Sequence, residues 1–283
     1  MTCNRKFYIN KVLVPCGKCI ACKKNKSHEW AKRISDEIFC SDGQCSFITL
    51  TYKENNKAQI YSLSIDDIQK FWKRLRKKFP NKKFKYFCCG EYGEQNQRPH
   101  YHAIIIGLSL KDLEAEKKQH SNYATSKVLE KTWPFGFNTV GIATINSIHY
   151  VSGYILKTTW GQHAVKIYDK IGLTRPFLIT SKQLGLKYLK ENQEMIRNTR
   201  KGNPRYYIKK SKEIDSNINI IKGSPKIISK EEGKKLKTIM TKNKCNLMEA
   251  RRRILESNLA REQNELAKQH LLSRRHKNIG EFI

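Results

Sequence analysis

Acidic side chains are scarce in this sequence: 25 Asp and Glu stand against 56 Lys and Arg, a formal charge of +31 over 283 residues. A chain so charged repels itself when compact unless a polyanion offsets it, which makes nucleic acid the leading partner. Ribosomal and membrane-surface proteins share the bias, so charge alone does not supply the reaction. Also missing is any apolar run near the roughly 20 residues that cross a bilayer, and the N-terminus lacks the uninterrupted apolar core of a signal peptide. A soluble, intracellular protein with no membrane partner is the expectation. The cysteine count is nine, an odd number, and the adjacent Cys88 and Cys89 would diverge to opposite faces of a strand; the thiols are read as reduced rather than as a disulfide framework. No internal repeat is evident, so the length reads as one enzymatic core with appendages.

What is present reads as an α+β chain. Cys3, Cys16, Cys19 and Cys22 precede a helical stretch with Trp30, Ile34 and Ile38 on one stripe, an N-terminal cap over residues 1–45. Residues 45–52 are rich in β-branched and aromatic types and predict a strand. Residues 64–79 predict a helix, with Ser64 and Asp67 as a capping box and Ile65, Ile68, Trp72, Leu75 and Phe79 at spacings of three or four. Two further strand-like runs, 84–91 and 100–107, flank a polar turn and predict a hairpin. A polar helix over 111–132, a strand over 138–145 and a helix opening at Asn146 or Ser147 follow. From 211 to 283 the chain is polar and basic, with helix-favouring composition in 231–277.

Two short patterns carry chemistry. His100 and His102 are one residue apart, so a strand presents both imidazoles on one face. Glu91 closes the preceding strand, and the hairpin would bring its carboxylate beside them, giving two nitrogens and one oxygen for a divalent ion with positions left for water or phosphate. Glu94 and Gln97 compete for the third place. The second pattern is Tyr150, Tyr154 and Lys157, which share a narrow arc of a helix while Ile148, Val151, Ile155 and Leu156 fall on the other side. A phenol of pKa about 10 is ionised to only about one part in a thousand at neutral pH, so as a nucleophile it needs a nearby cation or base.

His100-Tyr101-His102 followed by Tyr150-x-x-x-Tyr154-x-x-Lys157 resembles the HUH endonuclease superfamily in its two-tyrosine branch of rolling-circle initiators. Together with Pro15–Cys22, Phe47–Tyr52, Gly90–Gly93 and Arg205–Tyr207, the chain is similar to the replication initiators of microviruses, the gokushovirus group in particular. The resemblance covers residues 15–210. It implies a central antiparallel sheet of about five strands flanked by helices, an endonuclease domain over 46–210, and a metal, Mg or Mn, held by the histidines on a central strand. It further implies nicking of one strand at a phage origin through Tyr150 or Tyr154, strand rejoining, and work on single-stranded DNA alongside a host helicase and DNA polymerase. The family motif is His-hydrophobic-His. Tyr101, the middle residue here, should point to the opposite sheet face and is not counted as a nucleophile.

Cys3, Cys16, Cys19 and Cys22 are candidates for a four-thiolate structural zinc site, although successive spacings of two lack the usual paired knuckles; the other reading is reduced, partly buried thiols at a helix start. Two competing functions stand beside nicking. A non-haem iron oxygenase also uses two histidines and a carboxylate, against which the charge and the tyrosine pair argue. A non-catalytic nucleic-acid-binding protein would leave the histidines incidental.

Overall fold

The computed structural model describes residues 3, 5–9, 12–53, 62–93, 97–117, 124–157, 167–198, 202–214, 238, 241 and 242, with backbone alone at positions 8, 12, 13, 156 and 157. The chain divides into two compact units, one of residues 1–26, 197–202 and 219–283, the other of 27–196 and 203–218. In the first, β1 (Phe7–Ile9) pairs antiparallel with β2 (Val12–Val14). Helix α1 (Ile20–Phe39) starts in this unit and continues into the second. The expected basic tail lies, beyond residue 214, almost wholly outside the described residues.

The second unit is built on an antiparallel sheet. Its strands are β3 (Cys45–Tyr52), β4 (Lys85–Tyr92), β5 (Pro99–Ile106), β6 (Ala115–Lys117), β7 (Ala124–Ser126), β8 (Gly136–Ile142) and β9 (Phe177–Thr180). They run in the order β6-β7-β8-β3-β5-β4-β9, which makes the histidine strand β5 central. Short strands at either side bring the total among the described residues to seven where about five were expected.

Alternation along β3 buries Ser46, Ile48, Leu50 and Tyr52 and sorts the sheet into two apolar faces. One face carries Ile48, Leu50, Cys88, Tyr101, Ala103 and Ile105 under helix α2 (Ile65–Lys78) and the short α3 (Lys127–Thr132). Ser64 caps α2 by accepting from the Asp67 amide at 3.1 Å, one half of the expected capping box, while the Ser64 amide donates to the Tyr101 hydroxyl and the Asp67 carboxylate accepts from Tyr52; such an N-cap contributes about 1 kcal/mol. The buried stripe of α2 is Ile68, Phe71, Trp72 and Leu75, and Trp72 stacks on Tyr86 at 4.0 Å. Phe71 replaces Ile65, which is exposed; the periodicity does not separate two apolar residues that flank the stripe.

The opposite face carries Phe87, Cys89, Ile104 and Ile106 under α1 and α4 (Ile145–Lys157). Helix α4 opens at Ile145 because Thr144 and Ser147 exchange hydrogen bonds: the Ser147 amide donates to Thr144 Oγ1 and the Thr144 amide to Ser147 Oγ, both at 3.2 Å. After β9 come α5 (Leu186–Glu191), α6 (Gln193–Asn198) and α7 (Arg205–Ile214). Arg33 of α1 donates to the Leu184 carbonyl and stacks on Tyr206, while the Tyr207 hydroxyl donates to Asp36 at 2.7 Å. These contacts tie α7 to α1, and the helix runs across the expected boundary at 210/211.

The polar helix expected over 111–132 is corrected. Residues 115–117 and 124–126 are strands, and among the described residues of this span only 127–132 are helical. Ser126 decides the outcome: its amide donates to Asn138 Oδ1 at 2.8 Å, its hydroxyl donates to the Leu113 carbonyl, and the same oxygen caps α3 by accepting from the Leu129 amide. Pairing with β8 outweighs the helix propensity of the preceding segment.

Candidate metal and tyrosine site

The register of the β4–β5 hairpin sets Glu91 opposite His100, and the period of two puts His102 on the same face. Their ligand atoms all lie within 4.8 Å of one another. Glu91 Oε1 is 2.9 Å from His100 Nε2 and 3.5 Å from His102 Nε2. Glu91 and His102 are buried.

His100 Nδ1 sits 3.0 Å from the Arg98 carbonyl oxygen. A carbonyl only accepts, so Nδ1 carries the proton and Nε2 is turned toward the carboxylate. Glu91, His100 and His102 thus turn one oxygen and two nitrogens toward a single point, a donor set that fits a divalent metal. His102 Nδ1 is engaged by Thr49 Oγ1 at 2.9 Å, which likewise leaves Nε2 for the cluster. Thr49 escapes sequence reading, since it faces His102 only through the β3–β5 register.

Helix α4 lies on this face and delivers both tyrosines. The Tyr150 ring is 5.3 Å from His102, edge to face; the Tyr154 ring is 5.5 Å from it and nearly parallel; the two phenol rings are 5.0 Å apart. Their surroundings differ although both lie on one arc of the helix. Tyr150 is 51% exposed, whereas Tyr154 is 6% exposed and packs with Ile148 and Val151 in the core. The arc of a helix does not show how deeply the sheet beneath reaches into it. Burial pushes the Tyr154 phenol far above the usual range, and the neighbouring Glu91 carboxylate and Tyr150 add to the shift. Phe47 stacks parallel to His102 and meets Tyr150 edge-on. A cavity of about 190 Å³ borders Glu91 and Tyr154 and is walled by Tyr92, Tyr168 and Phe177.

Tyr101 points to the other face, where its hydroxyl is 2.8 Å from that of Tyr52, donates to the Ser64 carbonyl and accepts from the Ser64 amide. It is spent on anchoring the start of α2. Of the competing third ligands, Glu94 lies outside the described residues, and Gln97 lines the cavity in a left-handed turn position while Glu91 meets both imidazoles. The side chain of Lys157 also lies outside the described residues. A second group of metal-capable atoms gathers Cys3, Cys16, Cys19 and Cys22. No helix among the described residues is long and apolar enough to cross a membrane.

Residues 45–159, which contain both patterns, match the family of replication-associated proteins described by the name ORF2. The chain is 37% identical over 200 residues to Replication-associated protein ORF2 of Spiroplasma virus 4, covering 68% of this chain and 61% of that protein. It is 31% identical over 211 residues to Replication-associated protein ORF4 of Chlamydia phage 1, covering 69% and 52%. It is 31% identical over 155 residues to Replication-associated protein VP4 of Bdellovibrio phage phiMH2K, covering 50% and 48%. The chain thus spans about half to three fifths of the length of the curated relatives it matches. No solved structure matches.

Proposed function

Through residues 45–159 this chain belongs to the replication-associated proteins of small phages, and from that premise we propose that it is a site-specific DNA nickase and strand transferase that starts rolling-circle replication. The observation that carries the reading is the meeting of two phenol rings with one imidazole of a His-His-Glu cluster, His102 lying within 5.5 Å of both Tyr150 and Tyr154.

Glu91, His100 and His102 would hold a divalent ion, Mg²⁺ or Mn²⁺, which when bound supplies charge withdrawal from the phosphoryl oxygens of the scissile phosphate. The tyrosine supplies the nucleophile. A phenolic oxygen forms a bond to phosphorus, the bond from phosphorus to the 3′ oxygen breaks, and the phenolic proton is balanced by protonation of that oxygen. The products are a 5′-phosphotyrosine and a free 3′-hydroxyl that primes a polymerase. Attack by water would discard the linkage, whereas the phosphotyrosine conserves it for rejoining.

The difference in exposure supports one order of use. Tyr150, open to solvent beside His102, makes the first cut, and Tyr154, buried against the same ring, takes the second transfer when the displaced strand is cut and rejoined. Lys157, three residues on from Tyr154, is assigned to phosphate or phenolate charge. The basic surface holds single-stranded DNA at the phage origin in the cytoplasm of the bacterial host, with a host helicase and polymerase extending the primer.

The test mixes the full chain with labelled single-stranded origin DNA and Mg²⁺ or Mn²⁺. A covalent adduct that survives denaturant and maps by mass spectrometry to Tyr150 or Tyr154 is expected. DNA cut without an adduct, DNA bound but uncut, or attachment elsewhere would overturn the reading.

A further inference from the structure

The N-terminal unit has a core of unusual composition. Among the described residues its buried cluster consists of Cys3, Cys19, Ala21 and Cys22, with Cys16 partly buried against it. Among the described residues, no Leu, Ile, Val or aromatic side chain belongs to that cluster. Elements this small are commonly stapled by a metal or a disulfide, and these cysteines are not joined in disulfides.

The sulfurs are arranged for a metal. Cys3 precedes β1, Cys16 follows β2, Cys19 ends the intervening turn and Cys22 lies in the first turn of α1, so 20 residues of chain fold back to one point. All four Sγ atoms lie within 4.8 Å of one another, and Cys3 and Cys19 are 3.7 Å apart. Four thiolates around zinc at about 2.3 Å have sulfur separations of about 3.8 Å, the edge of the tetrahedron. The spacing suits a single ion and leaves no room for a multi-iron cluster.

The backbone supports the same species. The amides of Lys18 and Cys19 both donate to Cys16 Sγ, at 3.4 and 3.3 Å, and the amide of Cys16 donates to Cys3 Sγ at 3.3 Å. Amide dipoles aimed at sulfur stabilise a thiolate and orient its lone pairs. Gly17 makes the turn by adopting φ +72°, a conformation that costs other residues. One of these bonds spans the thirteen residues of the hairpin, so they are not the product of local turn geometry alone.

We propose that Cys3, Cys16, Cys19 and Cys22 bind one structural Zn²⁺ that closes the β1–β2 hairpin onto the start of α1. The ion bears no part in strand cleavage; it fixes the segment that carries Lys18, Lys23, Lys24 and Lys26.

The experiment separates this site from the histidine cluster. The full-length His100→Ala/His102→Ala protein, expressed with zinc and dialysed under reducing conditions, is expected to retain about one zinc per chain by elemental analysis, as a closed tetrathiolate site does. The Cys16→Ala/Cys22→Ala protein is expected to lose that equivalent. Because that variant is prone to misfold, a second measurement uses the natural cysteines. Alkylation followed by peptide mass spectrometry should show Cys3, Cys16, Cys19 and Cys22 protected by zinc and exposed after chelation, with Cys40 and Cys45 indifferent. No zinc in the histidine variant, iron in its place, or equal alkylation of the four thiols with and without zinc would overturn the proposal.

Discussion

Each neighbour of His102 constrains a different property of that ring. Thr49 engages Nδ1, Glu91 faces Nε2, and the rings of Phe47 and Tyr154 lie within 10° of its plane. If this arrangement positions a metal ligand, His100→Ala and His102→Ala should each abolish nicking while leaving most DNA affinity, since charge withdrawal acts in the transition state and phosphate contacts supply binding. Adduct yield and filter binding measured side by side check this, and unchanged turnover would remove the histidines from the mechanism. A finer prediction concerns Thr49→Val, which keeps the shape and deletes the hydroxyl. Partners behind a ligand are worth about 10- to 100-fold in metal affinity, so the Mn²⁺ concentration for half-maximal nicking should rise by about that factor. The histidines and Glu91 are legible in the sequence because strand period and hairpin pairing are local rules. Thr49 and Phe47 are not, because they reach His102 through a register with a strand about fifty positions away.

Helix α4 acts as a ruler laid across the sheet, and its two tyrosines, four residues apart, differ by about 6 Å in rise. Tyr150→Phe and Tyr154→Phe each remove one oxygen with little change in packing. Tyr150→Phe should depress first-turnover adduct more than Tyr154→Phe, both should fail to release circular product, and the double variant should form no adduct. A robust adduct in the double variant, read by denaturing gel and peptide mapping, contradicts the assignment. The sheet under the ruler has its own weak point at Gly136, the first residue of β8, where an added Cβ would fall 2.1 Å from the Thr51 carbonyl oxygen and 2.7 Å from the Lys53 amide. Backbone cannot yield there as a flexible side chain would. Gly136→Ala should therefore destabilise the protein by about 1–3 kcal/mol, a fall in Tm of roughly 2–12 °C. A melting temperature within a degree of wild type would show that β8 relaxes freely. At this scale the long elements are legible: β3, α2, β4 and β5 lie within a residue of their expected bounds, because each has a clear period and a cap or turn at its ends. The short β6, β7 and β9 are not, since three or four residues carry no period and exist as strands only through the partners they pair with.

The whole molecule is dominated by its charge of +31, and the described core accounts for where only part of that charge sits. Local ion pairs such as Lys70 with Asp66 and Lys127 with Glu116 are exposed and offset a few cations at most. Basic residues far along the chain, Arg251 to Arg253 and then Arg274 and Arg275, stand beyond α7, outside the matched family segment. If they neutralise phosphates, their removal lowers affinity without touching the site. The cut belongs after Ile214 rather than at 211, because Ser211 is buried within α7 and truncation there would disturb the contacts of Tyr207 with Asp36. For single-stranded DNA the log of the binding constant falls with the log of salt at a slope of about −0.7 per phosphate neutralised. A chain ending at Ile214 should therefore bind more weakly at low salt, with a shallower slope, yet form the tyrosine adduct at the same rate once DNA is saturating. The two readouts separate the roles. A slope unchanged by truncation would free the tail from DNA and assign it to another partner, while a slower adduct at saturation would mean that residues beyond α7 help to build the site itself.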